Sequence, residues 1–225
     1  NDKNKHVDNN VDKIRRKSQV NKEHMEREVR NPALKSLSTS FFKTRACFHR
    51  TQSYTQLLTT SFRSCLLDLG VDASDQHIEE WVCLIHACMS GYGRHYHGVD
   101  HVFDISIGGD SILILSALFH DAVYFALDGG INDTNSKYIA DVIIMDESNG
   151  SLKICDLEEK GEEMLSLVAC VFGFQSGKIL EPFGGLNEFL SAVMAVRALK
   201  VSLSKPILLQ IVACIEATIP FRKME

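Results

Sequence analysis

The sequence lacks the marks of a membrane protein and of a chain built on strands. No apolar run reaches the roughly 20 residues that a transmembrane helix needs. The N-terminus shows no charged region followed by an apolar one, as a secretion signal would. No internal repeat is visible, and no stretch alternates apolar and polar residues long enough to predict a strand. These absences favour a helical, globular chain and give no reason to expect a membrane partner.

Cys-x-x-Cys pairs are also absent. The seven cysteines are an odd number and occur singly: Cys47, Cys65, Cys83, Cys88, Cys155, Cys170 and Cys214. Most of them lie among apolar residues at helical spacing, which favours buried reduced thiols over a disulfide framework. We therefore expect a cytoplasmic, reducing compartment, although secretion as an effector stays open.

A large excess of charge of either sign is missing too. The net charge is -5 and the pI is about 6.0, so there is no global electrostatic reason to expect nucleic acid as a partner. With 225 residues, 45% of them hydrophobic and 24% charged, the composition is ordinary for one large globular domain plus a tail.

The domain organisation follows from a change of composition near residue 36. Residues 1–36 are rich in Asn and charged side chains with few apolar ones, which predicts a flexible, charged extension. Residues 37–225 are predicted to form the folded domain. The chain begins with Asn rather than Met and stops at Glu225 just past a promising motif, which is compatible with a fragment of a longer protein.

Apolar residues recur near the helical period through most of the predicted domain. The pattern predicts a helix that ends at Gly70, another that Asp75 caps, and a third that begins within residues 96–99. Residues 111–126 predict an apolar helix that is buried nearly all round. Further helices are expected from Asp133 or Thr134 through Met145 and over 157–172, 187–199 and 207–217. The predicted fold class is an all-α helical bundle.

The strongest chemical signal lies between Tyr92 and Tyr124, which hold four of the nine histidines. His97 and His101 are four residues apart, so a helix that includes both would place them on one face. His120 and Asp121 follow the apolar run, and burying such a pair at the end of that helix is costly unless a cation compensates the charge. Imidazole and carboxylate are ligands of divalent metals. The pattern therefore predicts a metal site between helices of the bundle.

These residues, taken in order, resemble the HD superfamily of metal-dependent phosphohydrolases. Residues 94–101 and 119–124 look like the HYHxxxH and FHDAVYD motifs of predicted HD phosphohydrolases. The spacing of Tyr96, His97 and His101 is also similar to that of the cyclic-nucleotide phosphodiesterases. The resemblance covers about thirty residues. It implies an HD-type helical bundle with hydrolase activity.

The resemblance also implies roles for individual residues. His101, His120 and Asp121 match metal-ligand positions. His97 matches the histidine that acts as general acid in the phosphodiesterase branch. Asp121 has two oxygens and could also bridge to a second, more hydrated metal, which gives it a catalytic role in holding the attacking water.

A further ligand is expected from a late helix, where the phosphodiesterases carry Cys-x-Asp before a Pro. Here Glu216 stands in the place of that Asp, and its extra methylene still reaches the same metals. A ligand beyond Glu225 is the other option if the chain is a fragment. Rival carboxylates are Asp141, Asp146, Asp156 and Glu188. Asn187 and Glu188 follow two glycines where a helix cap is expected, so we favour capping for both.

Four residues are candidates for contact with substrate. Arg94 and Tyr124 could reach phosphate oxygens, while Asp133 and Asn135, at a predicted helix start, could orient water or substrate. The phosphodiesterase branch has a further Asp-His pair where this sequence has Tyr124 and Phe125.

We therefore expect a phosphohydrolase or phosphodiesterase that uses one or two divalent ions (Mn, Fe, Ni, Co, Zn or Mg). A metal-activated water would attack the phosphoester of a nucleotide or another phosphorylated small molecule. One alternative is a phosphodiesterase that acts on a modified protein. The other is a non-catalytic HD domain that binds a nucleotide or a partner protein and uses the metal structurally.

Overall fold

The computed structural model describes residues 52–220 of the chain, and the predicted extension over residues 1–36 lies outside that part. The described residues form nine helices and three short strands. The first helices are α1 (Tyr54–Asp68), α2 (Asp75–Met89), α3 (Val99–Ile105), α4 (Ser111–Phe119) and α5 (Asp133–Ile139). Strands β1 (Ile143–Met145) and β2 (Leu152–Ile154), helices α6 (Leu157–Lys160) and α7 (Glu163–Phe172), strand β3 (Ile179–Leu180), and helices α8 (Leu186–Leu199) and α9 (Lys205–Glu216) follow.

Helices α1 and α2 form much as their sequences predict. Ser53 caps α1 through a reciprocal pair of hydrogen bonds with Gln56, and the chain leaves the helix at Gly70, whose φ of 64° few other residues adopt. The predicted cap of α2 is one residue too late. The Ser74 hydroxyl accepts from the amide of His77, while Asp75 is the first helical residue. Both side chains can cap a helix, and the extended backbone at Ser74 decides between them.

The core is built around α8, which packs against α4, α5, α7 and α9. Most of its side chains are buried, in keeping with an apolar sequence that has few polar residues after its first turn. Helix α4 is equally apolar and packs on α1, α3, α8 and α9. The prediction that its residues are buried nearly all round is therefore confirmed for most of α4. Helices α4 and α8 together form the framework on which the candidate site is placed.

A small antiparallel sheet departs from the all-α prediction, which is otherwise confirmed for most of the described chain. Strand β2 pairs with both neighbours, with Leu152 opposite Met145 on one side and Leu180 on the other. The predicted helix through Met145 is wrong, because α5 ends at Ile139 and Ile143–Met145 form β1. Short apolar runs fit either period, and pairing with β2 decides in favour of a strand.

Two further boundaries matter for the site. Helix α3 begins at Val99, within the predicted range of 96–99, so His97 lies two residues before the helix and does not share a helix face with His101. Helix α4 ends at Phe119 rather than near residue 126. It ends because Val123 and Phe125 donate their amides to the side chains of Ser191 and Asn187 on α8, not to helical carbonyls.

Two simpler features complete the fold. None of the helices between residues 52 and 220 is both long and apolar enough to cross a bilayer. No disulfide joins the cysteines of that range to one another, and Cys65, Cys88 and Cys155 are buried. Burial raises the pKa of the Cys65 thiol to about 11 and that of Cys88 to about 12. Both thiols therefore stay protonated at neutral pH, as expected for packing residues.

Candidate metal centre

The C-terminal end of α4 presents His120 and Asp121 side by side. His120 is the C-cap residue, and its amide donates to the carbonyl of Ser116 at 2.8 Å. Its ring Nδ1 lies 2.9 Å from the carbonyl of Ala117. Because a carbonyl only accepts, Nδ1 carries the proton in this contact and Nε2 is left to face the Asp121 carboxylate. This orientation is the one a metal-ligating histidine usually has.

Two more imidazoles reach the same carboxylate oxygen from the neighbouring segment. His97, in the bend before α3, places Nδ1 2.7 Å from Oδ2 of Asp121. His101, in the first turn of α3, places Nε2 3.7 Å from that oxygen, and His120 places Nε2 2.9 Å from it. Three rings and one carboxylate thus converge from two parts of the chain.

The spacing of these atoms suits a single bound ion. Candidate ligand atoms of His97, His101 and Asp121 all lie within 4.8 Å of one another. Two ligand atoms that each sit about 2.1 Å from one ion, at right angles to each other, are about 3 Å apart. The separations from Asp121 Oδ2 bracket that value. Imidazole and carboxylate donors fit Zn, Mn, Fe, Ni or Co, and the set alone does not choose among them.

The contact between His120 and Asp121 gives an independent reason to place a cation here. With its proton on Nδ1, a neutral His120 directs the lone pair of Nε2 at a carboxylate oxygen 2.9 Å away. Two acceptors at that distance repel each other unless a proton or a metal ion lies between them. Both side chains are largely buried, so water cannot relieve the repulsion cheaply.

The ionisation of the site residues also favours a metal. Burial alone would raise the pKa of Asp121, but the hydrogen bond and charge that His120 has in its protonated form, together with His97, lower it to about 2. Burial, helped by the nearby His120, lowers the pKa of His101. At neutral pH the centre thus offers an ionised carboxylate and a neutral imidazole, which are the forms that bind metals.

Arg94 is buried beside the His-Asp pair. It is 4% exposed, and its guanidinium forms a two-pronged ion pair with Asp128 at 2.8 and 2.6 Å. Its remaining donors meet the carbonyls of Asp121 and Ala122. Asp128 also accepts from the amide of Tyr124 at 2.9 Å. This geometry favours a positioning role for Arg94 over contact with a phosphate, because phosphate would have to displace these bonds.

Of the other three predicted substrate residues, Tyr124 lies beside the histidine cluster, whereas Asp133 and Asn135 have no contact with it among residues 52–220. The Tyr124 ring lies 4.8 Å from the His97 ring and is half-buried. Asn135 is buried and forms a capping box with Asn132, which is the true cap of α5 instead of Asp133 or Thr134. Asp133 is exposed. Within residues 52–220, no hydrogen bond or ring contact links Asp133 or Asn135 to the histidines.

Glu216 is buried at the end of α9, and it lies outside the group of three residues whose ligand atoms converge. The end of α9 nevertheless lies near the start of α8. A Cβ on Gly185, the residue before α8, would come within 2.8 Å of Ile219. Ser116 on α4 lies 3.4 Å from the carbonyl of Ile211 on α9. The assignment of Glu216 as a ligand therefore stays a prediction.

Three of the rival acids are engaged elsewhere. Asp141 pairs with Arg197, Asp146 accepts from Ser148 and Asn149 in its own turn, and Asp156 caps α6. Glu188 differs from them, since burial raises the pKa of its carboxyl and the charge of Asp121 raises it further. Of the four rivals, Glu188 is the one that is electrostatically coupled to the His-Asp pair.

Sequence patterns do not reveal the side chains that hold this site in place. They indicate only a turn at Asp128 and only a helix at Ser191. The predicted capping role of Asn187 is wrong, because Gly185 is the cap residue and the Asn187 amide oxygen accepts from Phe125. Polar residues inside apolar stretches, such as Ser191, are the available signal, but their partners are 60 or more residues away in sequence.

Comparison with known proteins adds no relative to this description. No family model, curated protein or solved structure matches the chain. The fold and site define a mostly helical protein with a candidate centre of histidine and aspartate.

Proposed function

We propose that the protein is a divalent-metal-dependent phosphohydrolase of HD type. The observation that carries this proposal is the convergence of three imidazoles on the buried carboxylate of Asp121. The HD-like order of these residues in the sequence supports it. A phosphoester of a nucleotide or of a similar small molecule is the proposed substrate.

In the proposed site, His101, His120 and Asp121 hold the ion, with Glu216 as a further candidate. When bound, a divalent ion there supplies a water of lowered pKa and polarises a phosphoryl oxygen. The chain's own contribution is to keep the ligands in place. Ala117 fixes the orientation of the His120 ring, and Arg94 ties the carbonyls that follow α4 to Asp128.

The exposure of the His97 side chain supports a role as proton donor at the edge of the centre. Its side chain is 27% exposed, compared with 16% for His101 and 9% for His120. An imidazole at the solvent side can donate a proton to the leaving oxygen and then regain one from water, a step typically worth about 10²–10⁴-fold in rate. Its contact with Asp121 would orient the ring. His97 is therefore proposed as the general acid.

The test combines metal analysis with hydrolysis by the full chain. We expect about one or two Mn²⁺ ions per chain, as the HD-type centre implies, and release of nitrophenol from bis(p-nitrophenyl) phosphate or p-nitrophenyl phosphate. Asp121→Ala should lose both metal and turnover. Asp72→Ala, which changes an exposed aspartate outside the cluster, is the matched control and should behave like wild type.

The variants also separate the alternatives. His97→Ala should keep its metal and lose turnover if His97 is the acid, whereas loss of metal would make it a ligand. Metal binding without hydrolysis of either substrate would favour the non-catalytic binding domain, or a phosphodiesterase specific for a modified protein. A wild-type chain that binds no divalent metal would overturn the proposal.

A further inference from the structure

The loop between α2 and α3 is held in place near its middle. Arg94 is 4% exposed, and its guanidinium binds Asp128 and the carbonyls of Asp121 and Ala122. The amide of Arg94 also donates to the carbonyl of Gly91 at 2.9 Å, which closes a turn. The residues on either side of Arg94 are exposed. The loop is therefore fixed against the chain that presents Asp121 while it displays other side chains to solvent.

Tyr96 is one of these exposed side chains, and its ring contacts two of the three histidines. The ring centroid lies 5.0 Å from that of His97, at an interplanar angle of 81°, and 5.2 Å from that of His101. Tyr96 is nevertheless 74% exposed. It stands in sequence between the buried Arg94 and His97, whose Nδ1 lies 2.7 Å from Asp121. The backbone on both sides of this exposed ring is therefore held by contacts at the centre.

Two other tyrosines lie close by, and neither combines these properties. Tyr92, in the same loop, is 98% exposed, but its ring contacts that of His95, at 6.3 Å between centroids. Tyr124 contacts His97 at 4.8 Å between centroids, but it is half-buried. Tyr96 is thus the tyrosine that both contacts the proposed metal centre and leaves most of its ring open.

An exposed aromatic ring that is already held in place is a platform for a second planar ring. Stacking removes the apolar faces of both rings from water, and a fixed platform loses little conformational entropy. Tyrosine stacks on any nucleobase, because every base has a π-face. One sugar joins the base of a nucleotide to its phosphate. A base stacked on Tyr96 therefore keeps the phosphate close to the centre that includes His97 and His101.

We propose that Tyr96 binds the substrate by stacking against its nucleobase while the phosphate lies at the metal centre. This inference rests on the proposed phosphohydrolase function and deepens it, because it commits the substrate to a nucleotide over a phosphorylated molecule without an aromatic ring. It also gives the two tyrosines at His97 different roles. Tyr124 has the Arg94 guanidinium 6.0 Å from its ring centroid and supports His97, whereas Tyr96 faces the substrate.

The test compares two compounds that differ in the base, adenosine 5′-monophosphate and ribose 5-phosphate. Titration calorimetry with the Mn²⁺-loaded full chain gives the Kd of each, and KM takes its place for a compound that is hydrolysed. Wild type should bind the adenosine compound more tightly. Tyr96→Ala should weaken that binding roughly 5–150-fold, the loss expected for one stacked base. Its affinity for ribose 5-phosphate should stay unchanged.

Tyr96→Phe and Tyr92→Ala are the matched controls. Phenylalanine keeps an aromatic ring, so Tyr96→Phe should keep the preference for the adenosine compound. Tyr92→Ala removes another exposed tyrosine of the same loop and should behave like wild type. Tyr96→Ala should keep its fold and its Mn²⁺ affinity, because the ring that it removes is largely exposed; circular dichroism and Mn²⁺ titration check both. If Tyr96→Ala does not fold, Tyr96→Leu, which has no π-face, decides the matter.

The outcomes distinguish this inference from the proposed function. Loss of the preference in Tyr96→Ala, with Mn²⁺ affinity unchanged, supports the role of Tyr96. Equal binding of both compounds by wild type, or a preference that survives in Tyr96→Ala, overturns that role and leaves phosphoester hydrolysis standing. Weaker Mn²⁺ binding by Tyr96→Ala also overturns it, because the ring would then only support the histidines.

Two results would bear on the function itself. A preference for the adenosine compound that depends on Tyr96, without hydrolysis of any phosphoester, keeps the role of Tyr96 and overturns the phosphohydrolase. A wild-type chain that binds no metal overturns both.

Discussion

Two arginines anchor main-chain carbonyls in this protein, and their surroundings differ sharply. Arg94 pairs with Asp128, and their side chains are only 1% and 6% exposed. Arg197 pairs with Asp141 and Glu162, whose side chains are 48% and 35% exposed. Arg94 donates to the carbonyls of Asp121 and Ala122, while Arg197 donates to that of Tyr138 at 2.7 Å.

The difference shows how the same bonding pattern serves two purposes. Arg197 joins α8 to the end of α5 and to the residue before α7, where water can take over if the bonds break. Arg94 fixes the turn that presents Asp121, where water has little access. Loss of a partner should therefore lower the free energy of unfolding strongly for the Arg94 pair and only modestly for the Arg197 pairs.

The largest effect is expected from Arg94→Ala. It leaves Asp128 buried without its partner, and breaking a buried pair in this way typically costs about 3–5 kcal/mol of the free energy of unfolding. Urea unfolding at neutral pH measures the change. Arg63→Ala, which breaks an exposed pair with Asp75, is the control and should cost no more than about 1 kcal/mol. Equal losses from the two variants would contradict the comparison.

A second prediction concerns the link between Arg94 and the metal. Arg94→Lys keeps the charge but loses the two-pronged pairing with Asp128 and the fixed bonds to the turn after α4. We expect Mn²⁺ affinity to fall roughly 10-fold, as for other residues that support ligands. Arg197→Lys should leave this affinity unchanged. Titration calorimetry measures the Mn²⁺ affinity of both variants and of wild type. If Arg94→Lys binds Mn²⁺ as tightly as wild type, Arg94 contributes to stability alone.

Arg197→Ala is expected to have a smaller effect on stability than Arg94→Ala. The carboxylates of Asp141 and Glu162 regain water, so the main loss is the bond to the Tyr138 carbonyl, and we expect about 1–2 kcal/mol. Added salt should narrow the gap between wild type and variant, since the exposed part of this network is screened. Urea unfolding at low and high ionic strength measures both quantities. A loss as large as that of Arg94→Ala would contradict the comparison.

The smallest expected effect is the pH dependence of the stability that the pair of Arg197 and Asp141 contributes. The hydrogen bond from Arg197 lowers the pKa of Asp141 below its ordinary value of 3.8. A carboxyl with a lowered pKa in the folded state stabilises the protein above its unfolded pKa and loses that contribution as the pH falls through the folded pKa. The stability gap between wild type and Arg197→Ala should therefore narrow as the pH falls below about 3.8, and the part that comes from the Tyr138 carbonyl should remain. A stability difference that stays constant under those conditions would refute this origin.

Local sequence determined several features of the protein by itself. The end of α1 at Gly70 follows from one residue that readily adopts a positive φ. The burial of α4 follows from its nearly continuous apolar run, and the His-Asp pair at its end follows directly in the chain. These predictions are correct because each depends on residues within a turn or two of one another. The same locality makes the candidate metal cluster recognisable from the amino-acid sequence.

Only the tertiary structure decided which residues surround that cluster. Helix α4 ends at Phe119, and the amides of Val123 and Phe125 donate to the side chains of Ser191 and Asn187 on α8 instead of continuing the helix. The donors of Arg94 are bound by Asp128 and by two carbonyls of the turn after α4. Each of these contacts joins residues far apart in the chain, and their burial, which sets their strength, exists only once the helices have packed.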